Sequence, residues 1–183
     1  MDLSLLELKD VLGDIKNLGE GRIDSLNFKN ISIDSRTCLK NDLFIAINGK
    51  NFDGHIFLQE VLNKGVKSVV IKKGMQRLLP SNFPYWVVND TTEAFQKLAL
   101  LKRKKLNIPI IAITGSVGKT TTKEMIGGVL NKLGRIKLSR ANFNNEIGVG
   151  LTILSTDIED KVLVLEMGTV SYTHLTLPTS NSV

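Results

Sequence analysis

Apolar residues along this chain fall into two alternating patterns: short runs of strand length, and segments with apolar side chains three or four residues apart. Leu5, Leu8 and Leu12 share one helical face behind Ser4 and Glu7, which fit a capping box, and Gly13 stops that segment. Apolar runs at 31–33, 43–47, 66–71 and 86–88 predict strands, with a helix over 56–63 closed by Gly65. Pro80 and Pro84, with Ser81 and Asn82, loosen the chain before the last of these runs. A second capping pattern, Asp90 to Glu93, precedes Ala94, Leu98 and Leu101 at helical spacing. The run 110–113 then predicts a buried strand. The helix after it carries Met125, Ile126, Val129, Leu130 and Leu133 on its expected core side and ends at Gly134. Residues 161–166 predict another buried strand, this one finishing in an acid, Glu166.

Buried strands alternating with helices give an α/β fold with parallel sheets, whose ligands gather at the carboxyl ends of the strands. The pattern divides into a small α/β domain over 1–88 and a second parallel-sheet domain over 89–169. No internal repeat is present. Residues 170–183 have no acidic or basic side chain except His174 and neither periodicity, and they read as an appended tail.

At 183 residues with 42% hydrophobic content, the chain can bury a real core. Cys38 is the only cysteine, which excludes an internal disulfide or a cysteine-based zinc site and suits a reducing compartment. The amino terminus has no basic stretch, and the longest apolar run, 108–113 interrupted by Pro109, is far too short to span a bilayer. A cytoplasmic protein without a membrane span is expected. The net charge of +6 suits a polyanionic partner. Its densest cluster, 102–105, ends a predicted helix and has no interleaved aromatic residue, so it reads as a solvated helix end, with no nucleic-acid partner.

The chemistry concentrates where the second domain begins. Ile110-Ile111-Ala112-Ile113 leads into Thr114-Gly115-Ser116-Val117-Gly118-Lys119-Thr120-Thr121-Thr122, a strand, a glycine loop and a helix start. Such a loop turns backbone N–H groups onto phosphate oxygens; Lys119 brings a mobile point charge, and the Thr120 hydroxyl can ligate Mg²⁺. Gly115, Ser116, Val117, Gly118, Lys119, Thr120 and Thr121 are therefore the candidate residues for binding a nucleotide triphosphate, with Lys119 the catalytic candidate. The strict P-loop has a glycine where Ile113 stands, so an ordinary Gly-containing βα turn is the competing reading. Glu166, an acid directly after four apolar residues, pairs naturally with Thr120 as a magnesium ligand. A GTPase-like switch would need a guanine-reading Asn-Lys-x-Asp, which the chain lacks. Three further polar segments stand out: Asn142-Phe143-Asn144-Asn145-Glu146-Ile147-Gly148, rich in carboxamides; Asp34-Ser35-Arg36, a forked anion site; and Phe52-Asp53-Gly54-His55, a turn that aims an imidazole.

In order, Asp34-Ser35-Arg36, Asp42-Leu43-Phe44-Ile45-Ala46 with Gly49, Asp53-Gly54-His55, Thr114 through Glu124, Asn142 through Gly148 and Glu166-Met167-Gly168 resemble the Mur ligases of peptidoglycan synthesis. The resemblance covers residues 1 to about 168. The Thr-Lys-Glu continuation of the loop and the Asn-Asn-Glu-Ile-Gly segment point, within the family, to members that add D-Ala-D-Ala to UDP-MurNAc-tripeptide. It implies a UDP-sugar-binding domain followed by a P-loop ATPase domain, here incomplete, with the amine-receiving third domain absent. ATP would phosphorylate the tripeptide carboxylate, and the D-Ala-D-Ala amine would attack the acyl phosphate. Lys119 and the loop amides would hold the ATP phosphates, Thr120 and Glu166 the Mg²⁺, and Asn145 would line the nucleotide site. Ser35, Arg36, Asp53, Gly54 and His55 would face the UDP-sugar. A monomer is expected. After Gly168 the chain departs from the family pattern, so no family role passes to His174, and the tail over 170–183 is expected to be foreign. Two alternatives remain open: a non-catalytic nucleotide-sugar binding module, and a Mur-type ligase that adds an earlier amino acid.

Overall fold

The structure, a computed structural model, describes residues 3–19, 26, 28–49, 52–140 and 143–168. Asn142 and the tail over 170–183 lie outside them. The chain divides into two units, Met1–Leu98 and Ala99–Val183, with the boundary inside one helix, Thr91–Lys105.

The first unit is built on a parallel sheet of four strands in sequence order: β1 (Ile31–Ser32), β2 (Leu43–Ile45), β3 (Ser68–Lys72) and β4 (Tyr85–Val88). Alternation sends Phe44, Val69 and Ile71 to one face, where they pack with Cys38, Ala46, Val66 and the Leu58 and Val61 side chains of helix α2 (Leu58–Asn63). Leu43, Ile45, Val70 and Trp86 point the other way and are equally buried, as parallel sheets require. Helix α1 (Leu5–Leu12) packs on β4 and carries the expected capping box between Ser4 and Glu7. Trp86 fastens that layer: its indole N–H donates to the Gly13 carbonyl at 3.1 Å, and its ring lies tilted against Phe28. Cys38 is a core residue, and burial pushes its thiol up to about 11.

β2 stops two residues short of the apolar run, because the Ile47 N–H turns back to the Ile45 carbonyl and the Ile47 carbonyl accepts from Gly54. The expected helix at 56–63 accordingly opens as a 3₁₀ turn, Gly54–Phe57, capped by the Asp53 side chain. His55 locks that turn to the sheet. The Lys72 backbone N–H can only donate, and it donates to His55 Nε2 at 3.0 Å, so the ring proton sits on Nδ1 and is given to Asp53 Oδ1.

The second unit holds three parallel strands, β5 (Ile110–Ile113), β6 (Ile136–Leu138) and β7 (Val162–Glu166), ordered β5-β7-β6. The boundary helix is α3 (Thr91–Lys105); Asp90 Oδ1 accepts the Thr92 and Glu93 N–H groups, the expected cap. Along β7, Leu163 and Leu165 pack with Ala99 of α3 and with Val149 and Ile153 of helix α5 (Glu146–Leu154). Alternation turns Val164 and Glu166 to the opposite face, on which helix α4 (Lys119–Leu130) lies.

Three expectations are corrected in this unit. β5, read as a buried strand, is an edge strand with Ala112 exposed, because among the described residues it pairs with β7 alone. The stripe Met125, Val129 and Leu133, expected in the core, is exposed. α4 instead turns Lys123 and Gly127 inward, and a Cβ on Gly127 would lie 2.6 Å from Leu138 Cδ1, so glycine is what permits this approach. Lys102, expected in a solvated helix end, is buried. β6 and α5 were not anticipated from the sequence. Among the described residues no helix is long and apolar enough to cross a membrane.

Two substitutions test this framework by urea unfolding. Trp86→Ala should lower stability by about 3–5 kcal/mol, the usual loss for a buried tryptophan. His55→Ala leaves the Lys72 N–H without its partner and should lose about 1–3 kcal/mol; an unchanged midpoint would mean that the imidazole clamp contributes nothing.

Candidate functional site

In each unit the polar segments follow the carboxyl ends of neighbouring parallel strands, where such sheets place their ligands. In the second unit β5 and β7 run in register with Ile113 opposite Glu166, so the glycine loop and the acid start from the same edge. Gly118 takes the left-handed conformation, φ 79°, that admits the chain to α4, and as the N-cap it offers no side chain to the first-turn N–H groups. That uncapped end favours an anion. Ser116, Val117, Thr120 and Thr121 are exposed around it, and the Lys119 ammonium is folded back over the loop, donating to the Gly115 carbonyl at 2.7 Å.

Thr120 and Glu166 meet: the hydroxyl donates to Glu166 Oε2 at 2.8 Å. Glu166 is buried, and its backbone N–H donates to Ser139 Oγ at 2.8 Å, which fixes the strand end from β6's side. Burial pushes its carboxyl up, but the hydrogen bonds from Thr120 and Asn144 and the adjacent Lys123 ammonium outweigh that, leaving it below the usual carboxylate range. Two oxygen donors with a single carboxylate suit Mg²⁺, which keeps waters and takes phosphate oxygens as further ligands. No group of three or more His, Cys, Asp or Glu side chains that could hold a metal occurs among the described residues.

Asn145 is exposed, and its side-chain oxygen accepts the Gly148 N–H, capping α5. Its neighbour Asn144 is the carboxamide that reaches Glu166, at 3.4 Å from Oε1. Sequence reasoning assigned no role to Asn144, Ser139 or Lys123. For Lys123 a signal existed: it stands three residues beyond Thr120, on the same helical face.

In the first unit the Asp34–Arg36 turn follows β1 and the Asp53–His55 turn follows β2, so both occupy one edge of that sheet. Arg36 binds Asp34 as a fork, Nε to Oδ1 at 2.9 Å and Nη2 to Oδ2 at 2.7 Å, and its side chain is largely exposed. The guanidinium beside it holds the Asp34 carboxyl below its ordinary range. Ser35 is buried, its hydroxyl donating to Glu60 Oε2 at 3.0 Å, while Lys64 donates to the Ser35 carbonyl at 2.6 Å. Gly54 and His55 are buried, and both ring nitrogens of His55 are engaged within the protein. Arg36 and the partly exposed Asp53 are thus the side chains that face outward; Ser35, Gly54 and His55 shape the edge from beneath.

Comparison with known proteins covers both units. Residues 27–114 match the Mur ligase family, catalytic domain, and residues 113–178 match the Mur ligase middle domain. The UDP-N-acetylmuramoyl-tripeptide--D-alanyl-D-alanine ligase of Synechocystis sp. is 39% identical over 160 residues, which is 87% of this chain and 34% of that protein. The protein of the same name from Bacillus subtilis is 38% identical over 138 residues, 75% of this chain and 30% of its own. A crystal structure of MurF from Acinetobacter baumannii superimposes with a TM-score of 0.76 at 31% identity, covering 90% of this chain and 35% of that one. The MurF ligase of Thermotoga maritima in complex with ADP gives 0.68 at 29% identity, covering 83% and 34%. The chain therefore spans about a third of the length of the relatives it matches. Two adjoining domain matches, on a fold that agrees with them, place the chain in the Mur ligase family.

Proposed function

We propose that this chain is the nucleotide-sugar- and ATP-binding part of a cytoplasmic, ATP-dependent ligase that joins D-Ala-D-Ala to UDP-MurNAc-tripeptide. The observation that carries the reading is the Thr120–Glu166 contact at the uncapped start of α4, a hydroxyl and a buried carboxylate held together beside the glycine loop. The acceptor and donor substrates are those in the names of the relatives, and the ADP complex of the Thermotoga maritima protein supports adenine nucleotide binding.

On this reading residues 1–88 bind the UDP-sugar and residues 89–169 bind ATP. Backbone amides of Gly115 to Thr121 hold the phosphates, and Lys119 leaves the Gly115 carbonyl for the terminal phosphate oxygens. Asn145 borders the nucleotide. Thr120 and Glu166 hold Mg²⁺, which when bound would offset charge developing on the transferred phosphoryl group. Loop and lysine orient the γ-phosphate toward the tripeptide carboxylate, which takes the phosphoryl group as ADP leaves; the acyl phosphate is then the electrophile for the D-Ala-D-Ala amine, and inorganic phosphate is expelled as the amide forms. At the other edge Arg36 offers the guanidinium N–H groups not used by Asp34 to the UDP-sugar, with Ser35, Asp53, Gly54 and His55 forming the floor.

Isothermal titration separates the two sites. Lys119→Ala should weaken Mg-ATP binding by at least about tenfold, the value of one charge-assisted hydrogen bond, and leave UDP-MurNAc-tripeptide binding unchanged. Arg36→Ala should do the reverse, weakening the UDP-sugar by about tenfold with ATP binding intact. Unaltered ATP affinity in Lys119→Ala would reduce the loop to an ordinary βα turn.

A further inference from the structure

Lys123 is fully buried on the inner face of α4, and among the described residues its ammonium has no hydrogen-bond partner. Its neighbours are two carboxylates at ion-pair range: Glu166 Oε2 at 3.5 Å and Glu124 Oε1 at 3.3 Å, the latter side chain mostly in solvent. A lysine so placed is unfavourable on its own account, since a buried ammonium loses its hydration and gains here no hydrogen bond in return. A methionine of similar length would fill the same space without that loss. What offsets the burial is this pair of carboxylates, and the Glu166 oxygen that Lys123 approaches is the one that accepts the Thr120 hydroxyl.

Glu166 Oε2 is thus approached by a hydroxyl and by a buried ammonium. A bare divalent cation arriving at that oxygen meets the ammonium at short range in a poorly screened environment. The same cation carried by a nucleotide arrives with phosphate charges that reverse the balance. We propose that Lys123 is a positioning residue that holds Glu166 beside Thr120 and keeps the metal site closed to the free ion and open to the metal–nucleotide complex. The proposal rests on the reading that Thr120 and Glu166 hold the metal. It makes metal and nucleotide binding strongly coupled, each requiring the other.

Mn²⁺ titrations of the full 183-residue chain, followed by electron paramagnetic resonance with and without ADP, test it. Without ADP the unsubstituted protein should bind Mn²⁺ weakly. Lys123→Met should bind it at least about tenfold more tightly, and Lys123→Met combined with Glu166→Gln should lose that gain. With ADP present, Glu166→Gln should weaken Mn²⁺ binding, an arm that tests the metal assignment alone. If that arm fails, the metal reading falls and the proposal with it. If Glu166→Gln weakens Mn²⁺ in the ADP complex while a folded Lys123→Met binds free Mn²⁺ no better than the parent, the proposal alone is overturned. Should Lys123→Met not fold, Lys123→Gln decides by the same readings. Failure of both to fold, in the Glu166→Gln background as well, would make Lys123 a purely structural residue and also overturn the proposal.

Discussion

Glu166 ends a strand that is buried along its whole length, and a carboxylate in that position has to be met by charge and by hydrogen bonds drawn from elsewhere in the fold. Much of the second unit is arranged around that demand. Pairing of β7 with β5 brings the start of the glycine loop alongside, and strand alternation turns the acid toward α4 rather than α5. From α4 come Thr120 and Lys123; from the segment after β6 comes Ser139, which takes the backbone N–H; from the approach to α5 comes Asn144. Three chain segments therefore converge on one residue. Each of them also constrains the loop on which a phosphate would rest.

The first unit solves a different problem at the corresponding edge. Its polar residues are mostly struts: Ser35 and Lys64 tie the turn after β1 to α2, and His55 ties the turn after β2 to β3. Buried polar groups that are fully hydrogen-bonded rigidify the backbone around them. The side chains left outward, Arg36 foremost, then stand on loops that have little freedom to move.

Much of this architecture was legible in the sequence because local rules and tertiary packing agree. Ser4 and Asp90 cap helices where the capping patterns lie, and the apolar runs that form β2, β3 and β7 are strands buried on both faces. The failures are where the two disagree. β6 is three residues with Lys137 at its centre, too short and too mixed to register as a strand. α5 contains Gly148, Gly150 and several β-branched residues, poor helix formers that are helical here because their side chains fill the core. The face of α4 was misjudged because hydrophobic periodicity selects Met125, Val129 and Leu133, whereas the helix is oriented by a lysine with a carboxylate to answer and a glycine small enough to fit. Among the site residues, Thr120 and Glu166 could be paired from chemistry alone; Asn144, sitting beside an equally plausible Asn145, could not be singled out without the backbone.

The fork between Arg36 and Asp34 has a consequence for how that edge would select an anion. An arginine side chain free in water gives up about 2 kcal/mol of rotamer entropy when it is immobilised. Two parallel hydrogen bonds already moor this guanidinium, so that loss largely accompanies folding rather than ligand capture. A side chain fixed in advance discriminates by reach and shape, so that anions of equal charge but different outline would be told apart, where a freely swinging lysine would accept them alike.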